Sequence, residues 1–228
     1  MVSDSDSNSI YNLFYQRIIG SKVLLGQNFF TYKSREIQFI VEAIKGKGNS
    51  GLILDLGCST GHYTRKLAAV FGGEHVQGAD ISKKSIDRCR RNNPNLNFHH
   101  IGDDFYENRK GKYQYVLFSH VLEHRDDPID ILTSICGLLK KNGILIICVP
   151  QERIRGDSAL PENIYNLIRL KFENVHRKKH SLETLEKLLT TVGLKKYRYR
   201  YIHAFKAKKD CKSLLNHSLV VCAETILN

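Results

Sequence analysis

Between Leu52 and Gly61 the chain reads Leu-Ile-Leu-Asp-Leu-Gly-Cys-Ser-Thr-Gly, the stretch that most constrains its fold. An apolar β-branched run ends in a carboxylate and then in two glycines four residues apart. That is the pattern of a strand entering a tight turn that lets a ligand approach the backbone. A helix is expected over His62 to Phe71, and its first-turn N–H groups would face whatever occupies the turn. The segment therefore offers a ligand site at the carboxyl end of a strand.

The glycine spacing narrows the ligand. A dinucleotide fingerprint needs G-x-G-x-x-G and a P-loop ends in G-K-[ST]; neither is present. The missing third glycine disfavours a nicotinamide oxidoreductase. Asp55, two positions before the first glycine, would repel a phosphate but suits a ligand with a cationic amino group, such as S-adenosylmethionine. The run Asp55 to Gly61 resembles the first motif of the class I S-adenosylmethionine-dependent methyltransferases, and later segments follow in that family's order. His75 to Ser82 resembles its second strand, with Asp80 as the acid for the ribose hydroxyls and Ile81 beside it. Phe98 to Ile101 and Gly102-Asp103-Asp104-Phe105 resemble the third strand and the turn that meets adenine. Tyr113 to His124, followed by Asp126-Asp-Pro128, resembles the fourth strand and turn of small-molecule methyltransferases, and Lys141 to Pro150 the fifth strand. Gln114 and Asn142 depart from the family pattern, away from the cofactor positions. The resemblance covers roughly residues 35 to 225. It implies S-adenosylmethionine as cofactor, held by Asp55, Gly57, Cys58, Gly61, Asp80, Ile81, Asp103, Asp104 and Phe105, with Ser119 and His120 bordering the reactive methyl.

Helices expected at 34–45, 61–71, 82–92, 128–140 and 181–192 alternate with strands at 51–56, 74–79, 96–101, 113–119 and 143–149. Such alternation demands right-handed crossovers and a parallel sheet covered on both faces. Leu194 to His203 and Ser218 to Glu224 are two further strand-like runs. The expected fold is α/β: a Rossmann-like, mostly parallel seven-stranded sheet with helices on both faces and a C-terminal antiparallel hairpin. Residues 1–34 read as a Ser/Asp-rich lead and candidate cover for the acceptor site. Residues 35–228 read as the methyltransferase domain, with an acceptor-side insertion at about 151–180. At 228 residues with 42% hydrophobic content, one substantial core is affordable. No run approaches the roughly 18 apolar residues of a membrane span, and no basic-then-apolar leader opens the chain.

The six cysteines, at 58, 89, 136, 148, 211 and 222, lack C-x-x-C or zinc spacing. They read as reduced thiols, implying a cytoplasmic protein without a metal centre. The net charge of +12 is uneven: Tyr165 to Lys212 holds 14 Lys and Arg against 4 Asp and Glu, a local net of +10. Such a field suits an anionic partner or acceptor, RNA among them. Within it, Lys196-Tyr-Arg-Tyr-Arg-Tyr201 alternates, so a strand would put tyrosines on one face and cations on the other. That reads either as an outer strand whose charges discourage edge pairing or as a nucleic-acid surface.

Methyl transfer to a hydroxyl needs a group that takes the proton, and histidine is the usual candidate. His120 and His124 follow the fourth strand; His176 and His180 lie in or beside the insertion, near Arg153 and Arg155. For each histidine the plain alternative is a packed, capping or surface residue. No Asn-Pro-Pro-Tyr type motif follows strand four, which argues against exocyclic amino methylation of bases or glutamine and leaves other nitrogen acceptors open. The sequence thus points to O-methylation of a small molecule, glycan or lipid precursor, an anionic one included. The alternatives are an RNA methyltransferase using the basic last third and a non-catalytic cofactor-binding scaffold.

Overall fold

The computed structural model describes residues 28–48, 50–151, 180–203 and 216–225. Its elements are α1 (Asn28–Lys45), β1 (Ile53–Leu56), α2 (His62–Phe71), β2 (Val76–Asp80), α3 (Lys83–Asn92), β3 (Asn97–His100), β4 (Tyr113–Ser119), α4 (Pro128–Leu138), β5 (Leu139–Pro150), α5 (Leu182–Thr191), β6 (Leu194–His203) and β7 (Asn216–Thr225). They build one seven-stranded sheet in the order β3-β2-β1-β4-β5-β7-β6. The first five strands pair in parallel, and β7 enters antiparallel between β5 and β6. This is the expected α/β architecture, a Rossmann-like, mostly parallel seven-stranded sheet with a C-terminal antiparallel hairpin.

The central strands are mostly apolar because both faces of the sheet are covered. Leu54, Val116, Phe118, Leu145, Ile147 and Val221 turn towards α4 and α5. Their alternate neighbours Ile53, Tyr115, Leu117, Ile146 and Val220 turn towards α1 and α2. A smaller cluster, Cys58, Ile86, Cys89 and Phe98, seats α3 beside the cofactor-type turn. Ser82 caps α3 by accepting from Ser85 N, and Asp127 caps α4 by accepting from Ile129 N and Asp130 N.

Three local expectations are corrected. First, α1 begins at Asn28, ahead of the expected Ser34. Second, α4 stops at Leu138, and β5 starts at once with a tight excursion instead of at residue 143. Register jumps from Tyr113↔Leu139 to Tyr115↔Ile144, so Lys140 to Gly143 bulge out opposite Gln114. Asn142 takes φ 61°, and a Cβ on Gly143 would lie 2.8 Å from the Lys140 carbonyl oxygen. Third, the tyrosines of β6 do not share one face. A register shift between Lys196 and Arg198 sends Tyr197 to the α1 side, while Tyr199 and Tyr201 pack on the α5 side.

The described cysteines 58, 89, 136, 148 and 222 are all free thiols; Cys211 lies outside the described residues. So do residues 1–27 of the N-terminal lead and 152–179 of the insertion. No described helix is long and apolar enough to cross a membrane.

Candidate functional site

The carboxyl ends of β1 and β2 carry the turn picked out in the sequence. Gly57 and Gly61 both take left-handed backbone, φ 79° and 71°, and Ser59 joins them at 47°. Gly57 N and Cys58 N both donate to the Ala79 carbonyl oxygen, at 2.7 and 2.9 Å, which locks the turn against β2. A Cβ on Gly57 would lie 2.5 Å from Val121 Cγ2; one on Gly61 would lie 3.0 Å from Phe98 Cε1 and 3.2 Å from Cys89 Sγ. The glycines are thus required by φ and by protein packing, with Gly57 pressed against the loop after β4.

Asp55 is buried, and its Oδ2 accepts from Thr64 Oγ1 at 2.6 Å. Burial pushes its carboxyl up to about 6 from an ordinary 3.8, with nearby Asp80 adding to the rise and the Thr64 hydrogen bonds opposing it. Asp80 organises the neighbouring loop ends: Oδ2 accepts from Ser59 N and Oδ1 from Ser82 N, both at 2.8 Å. Each oxygen retains a second acceptor position. Beside it Ile81 is 72% exposed, an unusual exposure for a side chain of that size.

Asp103 and Asp104 are exposed on the turn after β3. That turn is held to β2 by Ile101 N donating to the Asp80 carbonyl at 2.9 Å and by His100 Nε2 lying 3.0 Å from the Ile81 carbonyl. The Phe105 side chain turns inward, 4% exposed, under the Arg109 guanidinium. Its N–H donates to the Gly102 carbonyl.

Beyond β4 the chain changes direction at His120, which takes φ 54°, a conformation costly for a residue bearing a Cβ. Its N–H donates to the Cys148 carbonyl at 2.9 Å, tying the ends of β4 and β5. The imidazole lies between two buried carboxylates, Nε2 at 3.2 Å from Glu36 Oε1 and Nδ1 at 3.8 Å from Glu123 Oε1. Glu36, from α1, has no solvent exposure. Its Oε1 also accepts from Ser218 Oγ; its Oε2 accepts from Tyr63 Oη and faces Lys33 Nζ at 3.7 Å. Burial alone would raise the Glu36 carboxyl, but the Lys33 and His120 charges and the His120 hydrogen bond hold it well below the usual carboxylate range.

Sequence reasoning missed this hub of Glu36, Tyr63, Lys33 and Ser218, although one signal was available. Residues 36, 39, 40, 43 and 44 share the helical spacing of a buried stripe, and Glu36 is its single acid. His62, the first residue of α2, was also passed over; burial, then Lys33, Arg65 and Lys66, lower it to about 4.

The structure brings Asp55, Gly57, Cys58, Gly61, Asp80 and Ile81 to one end of the sheet, with Ser119 ending the adjoining β4 and His120 just past it. His124 ends a short 3-10 turn, Leu122–His124, one turn beyond His120. His180 is buried just before α5, its carbonyl accepting from Gln151 Nε2 at 2.9 Å. His176, Arg153 and Arg155 lie outside the described residues. Among the described residues no group of three His, Cys, Asp or Glu side chains is placed to hold a metal ion.

A family profile described as methyltransferase domain matches residues 27–199. Among curated relatives, a malonyl-[acyl-carrier protein] O-methyltransferase of Halalkalibacterium halodurans is 28% identical over 102 residues, 41% of this chain and 37% of that protein. A ubiquinone biosynthesis O-methyltransferase of Pelagibacter ubique is 26% identical over 107 residues, 45% and 43% of the two chains. The matched stretch thus spans about two fifths of those relatives. A solved magnesium protoporphyrin IX methyltransferase of Synechocystis PCC 6803, with bound SAH, superposes with a TM-score of 0.66 at 19% identity, covering 96% of each chain. The [4+2]-cyclase SpnF superposes with a TM-score of 0.69 at 12% identity, covering 97% and 96%.

Proposed function

This chain belongs to the methyltransferase-domain family, and from that premise we propose that it transfers the methyl group of S-adenosylmethionine to an oxygen of a small molecule, glycan or lipid precursor. The observation that carries the reading is the placement of two carboxylates, Asp55 and Asp80, at adjacent strand ends on either side of the glycine turn. A phosphate-bearing cofactor would be repelled there, whereas an aminoacyl sulfonium nucleoside carries cations towards one acid and hydroxyls towards the other. In this reading Asp55, Gly57, Cys58 and Gly61 hold the methionine end. Asp80 accepts from the ribose hydroxyls through its spare acceptor positions. Exposed Ile81 gives the adenine an apolar face, and Asp103 with the Asp104 backbone meets its edge. The cofactor brings the methyl group and its leaving group; the chain positions the nucleophile and takes its proton.

The oxygen acceptor is supported by the curated relatives, which are named malonyl-[acyl-carrier protein] O-methyltransferase and ubiquinone biosynthesis O-methyltransferase. A cytoplasmic location accords with the reduced cysteines. RNA methylation is the second reading, favoured by the local excess of +10 from 14 basic and 4 acidic residues. Part of that charge is already engaged: Arg198 and Arg200 each pair with Glu42 at 3.3 Å, and Lys196 pairs with Glu186. Likeness to a [4+2]-cyclase shows that this fold also serves other chemistry, which keeps a non-methylating cofactor scaffold as the third reading.

The test is incubation with methyl-tritiated S-adenosylmethionine and, separately, a small-molecule extract and total RNA. Label in solvent-extractable molecules supports the proposal, label in RNA selects the second reading, and no label from cofactor-binding protein selects the third.

A further inference from the structure

The structure assigns Glu36 as the residue that sets His120 for proton removal, an inference that rests on the proposed methyl transfer. Three observations lead there. His120 stands where β4 ends, on the loop whose Val121 touches the glycine turn, so it borders the place where methionine and methyl would lie. Its Nε2 meets Glu36 Oε1 at hydrogen-bond distance, whereas Nδ1 stands 3.8 Å from Glu123 Oε1, beyond one. Glu36 in turn is held from several sides: Tyr63 of α2, Ser218 of β7 and His120 of the β4 loop hydrogen-bond its two oxygens, and Lys33 of its own helix adds its charge at 3.7 Å. Three donors thus occupy most of a carboxylate's roughly four acceptor positions and fix its orientation.

An ionised, immobile acceptor at Nε2 requires a proton there. The neutral ring is then the Nε2–H tautomer, with its lone pair on Nδ1. In the transfer, the acceptor hydroxyl gives its proton to Nδ1 as its oxygen attacks the methyl carbon. The new C–O bond forms, the S–CH3 bond breaks, and its electron pair stays on sulfur, leaving a neutral thioether. The imidazolium so formed lies between the Glu36 and Glu123 carboxylates, which stabilise it. Glu123 Oε2 is buried and makes no hydrogen bond among the described residues, so that carboxylate has acceptor capacity to spare. His120 is the catalytic residue of this scheme and Glu36 its positioning residue.

The test uses the full chain labelled with 15N-histidine, free and with S-adenosylhomocysteine, at pH 9, well above the ordinary histidine value of about 6.5. Two-bond proton–nitrogen correlations report the His120 tautomer, assigned by loss of its signals in His120→Gln. Iodomethane treatment followed by fragment mass spectrometry then reports which ring nitrogen is open to a small molecule. The expected result is Nε2–H and methylation at Nδ1 in the native chain, with Glu36→Gln moving both towards the opposite nitrogen. A native Nδ1–H tautomer, methylation at Nε2, no methylation of His120, or a Glu36→Gln protein that keeps the native pattern would each overturn the assignment. The first three need no variant, so a misfolded Glu36→Gln leaves the test intact. Absence of S-adenosylhomocysteine binding would instead strike the cofactor reading, which the tautomer does not depend on.

Discussion

At the scale of single residues, burial pulls the Asp55 carboxyl up, whereas the Lys33 and His120 charges hold the Glu36 carboxyl down. Asp55 is buried with a single strong donor, so its proton is held up to about 6. A cationic cofactor favours its ionised form, so binding releases a proton below that value. S-adenosylhomocysteine affinity is therefore expected to rise as pH climbs through about 6 and to level off above it. Calorimetry in buffers of different ionisation enthalpy reads the proton count directly. Asp55→Asn should bind more weakly and lose the pH slope, and an unchanged slope would sever Asp55 from the ligand. Gly57→Ala combines left-handed strain with a 2.5 Å approach to Val121; we expect a loss of about 2–4 kcal/mol in urea unfolding. Val121→Ala should recover the steric part, because Val121 Cγ2 is the atom struck. The sequence showed that residue 57 needed to be glycine. It could not show that the reason is a side chain sixty-four residues away, because that contact exists only once β1 and β4 are paired.

At the scale of elements, α1 and β6 explain where the basic strand spends its charge. Arg198 and Arg200 both lie over the Phe39 ring, 4.6 Å from its centroid, and both reach Glu42. Phe39 is fully buried, whereas Glu42 is 39% exposed, so packing and not ion pairing holds this contact. Phe39→Ala is expected to cost about 3–5 kcal/mol, and Glu42→Gln under about 1 kcal/mol; urea denaturation of the two variants would reverse this account if the order were inverted. Alternation along Lys196 to Tyr201 was legible as a strand. The extra residue at Tyr197 was not, since a bulge is defined by the partner strand. In the same way the starts of α3 and α4 near residues 82 and 128 were legible, while the excursion at Lys140 to Gly143 depends on pairing with β4. Glu36 was the readable exception, an acid on an apolar helical stripe. Its partners come from α2, β4 and β7 and had no local signature.

For the whole molecule, the fold was readable because strand, turn and helix signals alternate in one order that a parallel sheet accommodates. The acceptor was not, because the candidate histidines sit in no motif that fixes the group they would act on. Glu36, where four elements meet, makes global stability pH-dependent. Its folded-state carboxyl is held well below 4.5, so its contribution is present above 4.5 and is lost as pH falls below it. Asp55 runs the other way: its raised carboxyl contributes below 3.8, and that contribution is lost as pH rises through about 6. Urea unfolding of the native chain should weaken on acidification below pH 4.5, and Glu36→Gln should be less stable at pH 7 with a flatter acid limb; an equally steep limb would remove Glu36 as its source. The central claim, that the turn between Asp55 and Asp80 holds S-adenosylmethionine, is tested most directly by titrating the folded protein with S-adenosylhomocysteine in a calorimeter, with NAD as control. The account predicts saturable binding of S-adenosylhomocysteine with a dissociation constant on the order of micromolar, about −8 kcal/mol, no heat from NAD, and marked weakening in Asp80→Ala. No binding by folded protein, or binding of NAD in its place, would contradict it.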